Sequence, residues 1–309
     1  MTATEWDFGR ELAAWGPASG GREPPGLPQA RAYCARVAKS HYENFLVASA
    51  LLPRRLVRHF HAVYAYCRWS DDLADETAGG AEALALIDWW RGELLTCYGG
   101  RPRHPVMVAL GETVRRFRIP PEPFLNLLVA FEQDQRVKHY DTHEQLLGYC
   151  RNSANPVGRL VLYLCGYSDP ERQQLSDATC TALQLANFWQ DVYVDYGKGR
   201  IYLPLEDLRQ FGVTGDDIAQ RRATPPFLEL MKFEVERARE WFARGLPLVK
   251  MVSKELAIDI ELFSRGGQEI LNAIERQGFD VLKARPAISK SRKLLLVARA
   301  AAGKLVFRR

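Results

Sequence analysis

Apolar residues recur at spacings of three and four along most of the chain, which is the period of one face of an α-helix. Between residues 54 and 76, for example, apolar positions 56, 60, 63, 64 and 67 share such a face. No sustained period-two alternation predicts a strand. The pattern predicts an all-α fold, with helices over about 29–50, 54–76, 81–97, 105–117, 123–138, 142–165, 170–195, 205–210, 214–220, 225–244, 247–276 and 287–302.

Proline and glycine divide the chain into its predicted parts. A Gly/Pro-rich segment from Gly16 to Pro28 predicts that residues 1–28 are a flexible arm. One helical domain is predicted over 29–302, since a large all-helical domain is compatible with 309 residues. Residues 303–309 form a basic tail. Pro156 removes one helical hydrogen bond and predicts a kink in the helix over 142–165.

A stripe of polar side chains lies within the strongly apolar helix that ends near residue 195. Gln184, Asn187, Asp191 and Asp195 are three or four residues apart, which places them on one helical face. Two carboxylates on adjacent turns repel each other, and a divalent hard cation such as Mg²⁺ would offset that cost. A second acidic pair, Asp71 and Asp75, follows another apolar run, so we expect two acidic stripes that face each other across a cavity.

Either acidic pair alone is more often a solvated surface. The aromatic and aliphatic residues between these acids predict burial instead, and buried carboxylates need cations or hydrogen-bond partners. Together the two pairs therefore favour a metal site. Mg²⁺ held there would position a diphosphate and promote ionisation of its C–O bond.

Further side chains suit a diphosphate and a carbocation. Arg68 and Arg200 can bind phosphate oxygens, and pairing of either one with a carboxylate is the alternative. The rings that could line an apolar pocket and stabilise a cation are Phe45, Tyr64, Tyr149, Phe188 and Tyr202, although each alone is more often core packing. His41 could touch phosphate or donate a proton, and a structural histidine is equally compatible.

Composition narrows the function classes. A hydrophobic content of 47% with 26% charged residues is typical of a folded protein. The net charge of +5 is spread along the chain and fits anionic small molecules or a membrane surface as well as nucleic acid, so charge alone decides nothing. We expect no nucleic-acid partner. The six cysteines have no metal-ligand spacing with the six histidines. No GxGxxG motif or P-loop is present, which argues against a nicotinamide-binding Rossmann unit.

The terminal segments bear on localisation. Acidic residues Glu5, Asp7 and Glu11 and the lack of an apolar h-region argue against a secretory signal. We therefore expect a cytoplasmic protein. The apolar run from Leu294 to Phe307 is interrupted by charges, so this segment should not cross a membrane. It suits peripheral contact with the inner membrane face.

Three stretches together resemble the squalene/phytoene synthase family. They are YAYCRWSDDLAD (64–75), QLANFWQDVYVD (184–195) and GRIYLP (199–204), and the likeness spans about residues 35–290. The resemblance implies an isoprenoid-synthase fold around a central cavity, two or three Mg²⁺ ions and head-to-head coupling of prenyl diphosphates. It implies metal-binding acids at Asp71, Asp75, Asp191 and Asp195. Diphosphate-binding roles fall to Arg68, Arg200, Tyr202 and Asn187, and catalytic roles to Tyr149, Gln184, Tyr64 and His41.

Three departures from the coupling enzymes resemble the hopanoid-pathway branch, which converts presqualene diphosphate to hydroxysqualene without NADPH. The first is HYENF at 41–45, where Glu43 and Asn44 replace residues that hold a diphosphate and Phe45 remains. The second is YCRNSANPVG at 149–158 in place of a Gly-rich segment. The third is Gln190 where an arginine usually precedes the first acid. We interpret Glu43 and Asn44 as suited to one bound diphosphate and an oriented water.

Two alternatives stay open at this point. The chain could couple two prenyl diphosphates to presqualene diphosphate, squalene, dehydrosqualene or phytoene. It could also be a catalytically silent helical protein that binds isoprenoids or docks on pathway enzymes. The sequence is compatible with a monomer or a homodimer.

Overall fold

The regular structure of the protein is helical in the computed structural model, which describes residues 6–20, 22–40, 54–289, 292 and 298. In this part of the chain the only pairing of extended backbone is an isolated bridge between His139 and Ile201. The all-α prediction is confirmed. The helices are α1 Phe8–Trp15, α2 Leu27–Ser40, α3 Arg54–Asp75, α4 Gly80–Tyr98, α5 Pro105–Phe117, α6 Glu122–Arg136, α7 His143–Ser153, α8 Asn155–Leu164, α9 Pro170–Gly197, α10 Leu205–Phe211, α11 Gly215–Ala219, α12 Pro225–Gly245, a 3₁₀ helix Leu246–Lys250, and α13 Lys254–Arg276.

Two predicted helices are divided in the structure. The segment 142–165 forms α7 and α8 with a break at Ala154, next to the interruption predicted at Asn155 and Pro156. Pro156 lies in the first turn of α8, where its missing N–H costs little. The segment 247–276 is the 3₁₀ helix followed by α13, which begins after Ser253 because the Ser253 side chain accepts a hydrogen bond from the N–H of Leu256.

Residues 8–15 belong to the folded body, so the prediction of a flexible arm over 1–28 is wrong for this segment. Asp7 caps α1, and Phe8 is 6% exposed and meets Trp69 edge-to-face at 5.2 Å. Trp6 donates a hydrogen bond to Asp72 over 3.0 Å. The Gly/Pro-rich composition that suggested an arm begins only at Gly16, after the end of α1.

The chain divides into two compact units, the first Met1–Arg136 with Arg159–Ser168 and the second Val137–Gly158 with Asp169–Arg309. In the first unit the C-terminal half of α3 is held by stacked indoles. Trp69 stacks on Trp90 at 5.3 Å, and Trp90 donates a hydrogen bond to Ser70. This packing fixes the end of α3 that carries Arg68, Asp71, Asp72 and Asp75. The extent of the predicted domain over 29–302 stays a prediction.

In the second unit α9 packs against α12 and α13. The buried residues of these three helices include Trp189, Phe227, Met231 and Ile274. Asp169 caps α9 and Pro170 occupies its first turn, as the sequence predicts. None of the helices within the described ranges is long and apolar enough to cross a membrane.

Candidate active site

The first acidic motif combines a buried carboxylate with more accessible ones. Asp72 is 0% exposed, and its oxygens accept hydrogen bonds from Trp6 and Arg68. The side chain of Asp71 is 43% exposed and lies 3.2 Å from Arg68. Asp75 is exposed. Asp72 is therefore engaged within the protein, whereas Asp71 and Asp75 lie one turn apart toward the surface.

Negative charge accumulates around Asp71. Burial, together with the charges of Asp75, Asp72 and Asp134, raises the pKa of Asp71 to about 6 against the opposing effect of Arg68. Asp134 lies on α6 and was not among the predicted site residues. Its position could not be found from spacing, because α6 reaches α3 only through tertiary packing.

Arg68 and Tyr64 lie on the turns of α3 that precede these acids. Arg68 forms ion pairs with both Asp71 and Asp72, so pairing with a carboxylate, which the sequence left as an alternative, is observed. Its Nε atom is buried and has no hydrogen-bond partner among the described residues. Tyr64 is half-buried, and burial raises the pKa of its hydroxyl. The structure thus brings Tyr64, Arg68 and Asp71 together.

The second acidic motif occupies the last turns of α9. Asn187 is exposed, and Gln184, Asp191 and Asp195 are partly exposed along the same helix. Burial, together with the charge of Asp191, raises the pKa of Asp195 to about 6, whereas Lys198, Arg200 and Arg285 act in the opposite direction. The like-charge repulsion that the spacing predicts is therefore present in the folded protein.

An arginine from the segment after α13 covers Asp191. Arg285 donates to both Asp191 oxygens, one over 2.9 Å, and to the Gln190 side-chain oxygen over 3.1 Å. Gln190 is 7% exposed and donates to the carbonyl of Pro286 over 2.6 Å. Gln190 therefore anchors the segment of Arg285 and Pro286. The sequence suggested that positive charge is lost beside Asp191, but Arg285 supplies a guanidinium there.

The chain turns back sharply after α9. Gly199 has a φ of +74°, a conformation that glycine adopts readily, and the N–H of Arg200 donates to the Asp195 carbonyl over 2.9 Å. The N–H of Ile201 then bonds the Lys138 carbonyl over 2.8 Å. A small cavity of about 10 Å³ opens here, lined by Phe188, Val192, Asp195, Tyr196, Arg200, Ile201, Tyr202, Leu203 and Ile218.

Four aromatic rings pack beside this turn. Phe188 stacks on Tyr202 with their centroids 3.8 Å apart, and Tyr140 stacks on the same ring at 6.0 Å. Tyr149 lies 6.1 Å from Phe188 and 6.0 Å from Tyr202. The predicted residues Tyr149, Phe188 and Tyr202 thus form one cluster. Tyr140 completes it, and only the folded chain reveals that.

Four predicted site residues, His41, Glu43, Asn44 and Phe45, lie outside the described residues. Across the described ranges no three Asp, Glu, His or Cys side chains converge as a closed metal cage. Mg²⁺ is commonly held by one or two carboxylates together with substrate phosphates. The pairs Asp71 with Asp75 and Asp191 with Asp195 fit such an open site, because each combines oxygen donors with a carboxyl whose pKa is raised by its acidic neighbour.

The chain is similar to proteins of known class along most of its length. Residues 38–292 match the squalene/phytoene synthase family. The crystal structure of squalene synthase HpnC from Alicyclobacillus acidocaldarius is 48% identical, covers 82% of this chain and 95% of that chain, and has a TM-score of 0.79. A dehydrosqualene synthase crystallised with a ligand is 26% identical, covers 89% and 96%, and has a TM-score of 0.79. The phytoene synthase of Thermus thermophilus is 32% identical over 86% of this chain and 90% of its own length.

Proposed function

This chain belongs to the squalene/phytoene synthase family, and from that premise we propose that it converts presqualene diphosphate to hydroxysqualene. The family gives the coarser assignment, an enzyme that acts on prenyl diphosphates. The finer assignment is supported by the 48% identity to the squalene synthase HpnC, against 26% and 32% to the dehydrosqualene and phytoene synthases. It also agrees with the sequence of positions 41–45.

The geometry that favours diphosphate chemistry is the arrangement at the end of α9. Asp195, Arg200 and Tyr202 line one cavity, with the rings of Phe188 and Tyr149 beside it. A guanidinium and a phenol can donate hydrogen bonds to a diphosphate, a carboxylate can hold its metal ion, and the aromatic faces suit an apolar chain that carries a cation.

We assign metal binding to Asp71 and Asp75 in the first unit and to Asp191 and Asp195 in the second. Bound Mg²⁺ would supply charge neutralisation to the departing diphosphate. Asp72 is excluded from this set, because it is fully buried and bonded to Trp6 and Arg68. The ion pair between Asp191 and Arg285 must break before Asp191 can bind a metal ion.

The remaining groups bind and orient the substrate. In the second unit Arg200, Tyr202 and Asn187 donate to diphosphate oxygens, and in the first unit Arg68 is assigned the same chemistry. When the C–O bond ionises, the π faces of Tyr149, Phe188 and Tyr202 stabilise the allylic or cyclopropylcarbinyl cation. Gln184 in the second unit and Tyr64 in the first are each assigned to contact with substrate. Water then adds to the cation and loses a proton, which gives the hydroxyl group of hydroxysqualene.

Head-to-head coupling of two prenyl diphosphates is the second candidate. It is favoured by the Thermus thermophilus phytoene synthase and by the dehydrosqualene synthase structure, which covers 89% of this chain. The guanidinium of Arg285 beside Asp191 also keeps a positive charge where the coupling enzymes typically carry arginine at the position of Gln190.

Product analysis separates these candidates. The purified protein is incubated with Mg²⁺ and either presqualene diphosphate, farnesyl diphosphate or geranylgeranyl diphosphate, without NADPH. Hydroxysqualene from the first substrate alone supports the proposal. Presqualene diphosphate, dehydrosqualene or phytoene formed from the other substrates would establish coupling instead.

Matched acid variants test the assigned residues in the same assay. Asp191→Asn and Asp71→Asn should reduce turnover by at least about a hundredfold. Each removes a charged oxygen ligand of the Mg²⁺ that would neutralise the departing diphosphate. Asp88→Asn is the control, since Asp88 is exposed and pairs only with Arg91 among the described residues. Full activity of Asp191→Asn would remove Asp191 from the assigned site. Absence of turnover in the wild type, with metal-dependent substrate binding that Asp191→Asn leaves unchanged, would favour the catalytically silent binding protein.

A further inference from the structure

The loop that carries Arg200 and Tyr202, together with the start of α10, is bonded to the segment 137–142. The N–H groups of Ile201, Leu205 and Glu206 donate to the carbonyls of Lys138, Tyr140 and Asp141 over 2.8 to 2.9 Å. The N–H of His143 donates in turn to the Glu206 side chain over 2.7 Å. Neither 198–204 nor 137–142 is helical. The end of α9 holds the start of the first loop through the N–H of Arg200, and the end of that loop needs a separate attachment through α10.

An ion pair provides that attachment. Asp207, in the first turn of α10, is 2% exposed and accepts two hydrogen bonds from Arg237 on α12, over 2.8 and 3.2 Å. Arg237 also lies 3.3 and 3.4 Å from the two oxygens of Glu234 and packs over the Phe233 ring at 4.3 Å. This bidentate contact fixes the orientation of α10 and hence of the loop that precedes it.

The surroundings of this pair are unusual for a purely stabilising contact. Glu234 is 0% exposed, and burial and its contact with Asp207 raise the pKa of its carboxyl well above the usual value, against the opposing charge of Arg237. Two carboxyl groups thus share one guanidinium in a buried network. Such networks are often no more stable than apolar packing of the same volume, so fixing a particular geometry is a reason for their presence.

We propose that Arg237 is a positioning residue, which holds Arg200 and Tyr202 in their diphosphate-binding arrangement through Asp207. The inference rests on the proposed function, which gives those two residues their ligand. It adds a residue that neither acidic motif contains. Its effect passes through the loop, because Arg237 bonds Asp207 and Glu234 and is not among the residues that line the cavity of Asp195.

The test measures binding of inorganic diphosphate to the full chain in the presence of Mg²⁺ by calorimetry. Arg237→Met should weaken binding by about 10- to 100-fold, since displacement of binding groups by about an ångström has effects of this size. Arg239→Met is the matched control. Arg239 lies on the same helix and joins it to α13 through Glu275, so its loss affects stability without reaching the loop.

A double-mutant cycle distinguishes positioning from general destabilisation. Because Arg237 is proposed to act through Tyr202 as well as Arg200, Arg237→Met should weaken binding by a smaller factor in a Tyr202→Phe background than in the wild type. A purely structural role would give the same factor in both backgrounds. The paired variant Asp207→Asn with Arg237→Met removes both charges of the ion pair, so it should fold and still show the loss.

The outcomes separate this inference from the proposed function. Wild-type protein that binds no diphosphate would overturn both. Wild-type binding together with equal affinities for folded Arg237→Met and Arg239→Met would overturn the positioning role alone. Retained affinity in the paired variant, confirmed as folded by circular dichroism, would do the same.

Discussion

Asp71 and Asp72 are adjacent in the sequence and have opposite environments. Asp72 is fully buried and bonded to Arg68 and Trp6, whereas the Asp71 side chain is 43% exposed. Adjacent side chains on a helix point about 100° apart. Spacing alone does not say which of the two directions faces the core. The surrounding indoles determine which carboxylate is structural and which is accessible.

Asp72→Asn should therefore destabilise the protein, and Asp71→Asn should not. Loss of the charged acceptor of Arg68 and Trp6 is expected to lower the free energy of unfolding by about 2 kcal/mol. For Asp71→Asn no loss is expected, because the raised pKa of Asp71 makes its negative charge unfavourable to the folded state at pH 7. Urea unfolding at pH 7 without metal measures both. Equal losses would show that the two acids share one structural role.

The raised pKa of Asp195 predicts an unusual pH dependence in the metal-free protein. A carboxyl whose folded pKa is about 6, above its unfolded value near 3.8, binds its proton more tightly in the folded state. Stability is therefore lost as pH rises from about 4 to about 6. Asp195→Asn removes this dependence.

Thermal unfolding at two pH values checks this expectation. At pH 7 Asp195→Asn should be more stable than wild type by roughly 1 kcal/mol, after allowance for solvent screening. At pH 4 the two proteins should unfold alike, because wild-type Asp195 is then largely protonated. A difference independent of pH would contradict the assigned charge repulsion.

At the scale of elements, α9 and the segment after α13 act on the same carboxylate. Gln190 and Asp191 are consecutive residues of α9, and both bind Arg285 or its neighbour Pro286. An arginine at position 190 would place two guanidinium groups together and could not accept the Arg285 hydrogen bond. The glutamine is thus matched to this C-terminal segment.

Arg285→Gln should free Asp191 for a metal ion. Since Arg285 and a divalent cation compete for the same oxygens, we expect apparent Mn²⁺ affinity to rise severalfold, which corresponds to about 1 kcal/mol. Electron paramagnetic resonance of free Mn²⁺, without substrate, measures this. Arg265→Gln is the control, because Arg265 forms only an exposed pair with Glu261 on α13 among the described residues. Equal affinities in both variants would remove Asp191 from the metal set.

At the scale of the whole molecule, the cysteines report on global packing. All six are free thiols in the structure. Burial raises the pKa of Cys34, Cys97 and Cys150 to about 12, and all three are at most 1% exposed. Their native function is core packing, as their irregular spacing in the sequence suggests.

These three thiols should resist labelling until the protein unfolds. A thiol-specific disulfide reagent at pH 8 should modify them only as fast as the protein unfolds locally or globally, because burial suppresses formation of the reactive thiolate. Reductant should leave the thermal midpoint unchanged. The half-buried Cys165 and Cys180 provide the internal comparison. Rapid modification of Cys34 in folded protein, located by mass spectrometry, would contradict this packing.

The sequence by itself determined the helices and the chemistry of their polar stripes. Helix periodicity, proline at helix starts and capping residues are local, so the bounds of α3, α5 and α9 agree closely with their predictions. The acidic spacings and the motif at 199–204 were enough to predict a family, which the match over residues 38–292 confirms.

Only the tertiary structure decided which polar residues have partners. Contacts such as Arg285 with Asp191, Arg237 with Asp207 and Trp6 with Asp72 join residues 94, 30 and 66 positions apart. No local pattern encodes such pairs, because they depend on how helices pack. Packing therefore gives the polar residues of 184–195 different environments. Gln190 anchors the segment of Arg285, Asp191 is covered by Arg285, and Asp195 lines the cavity.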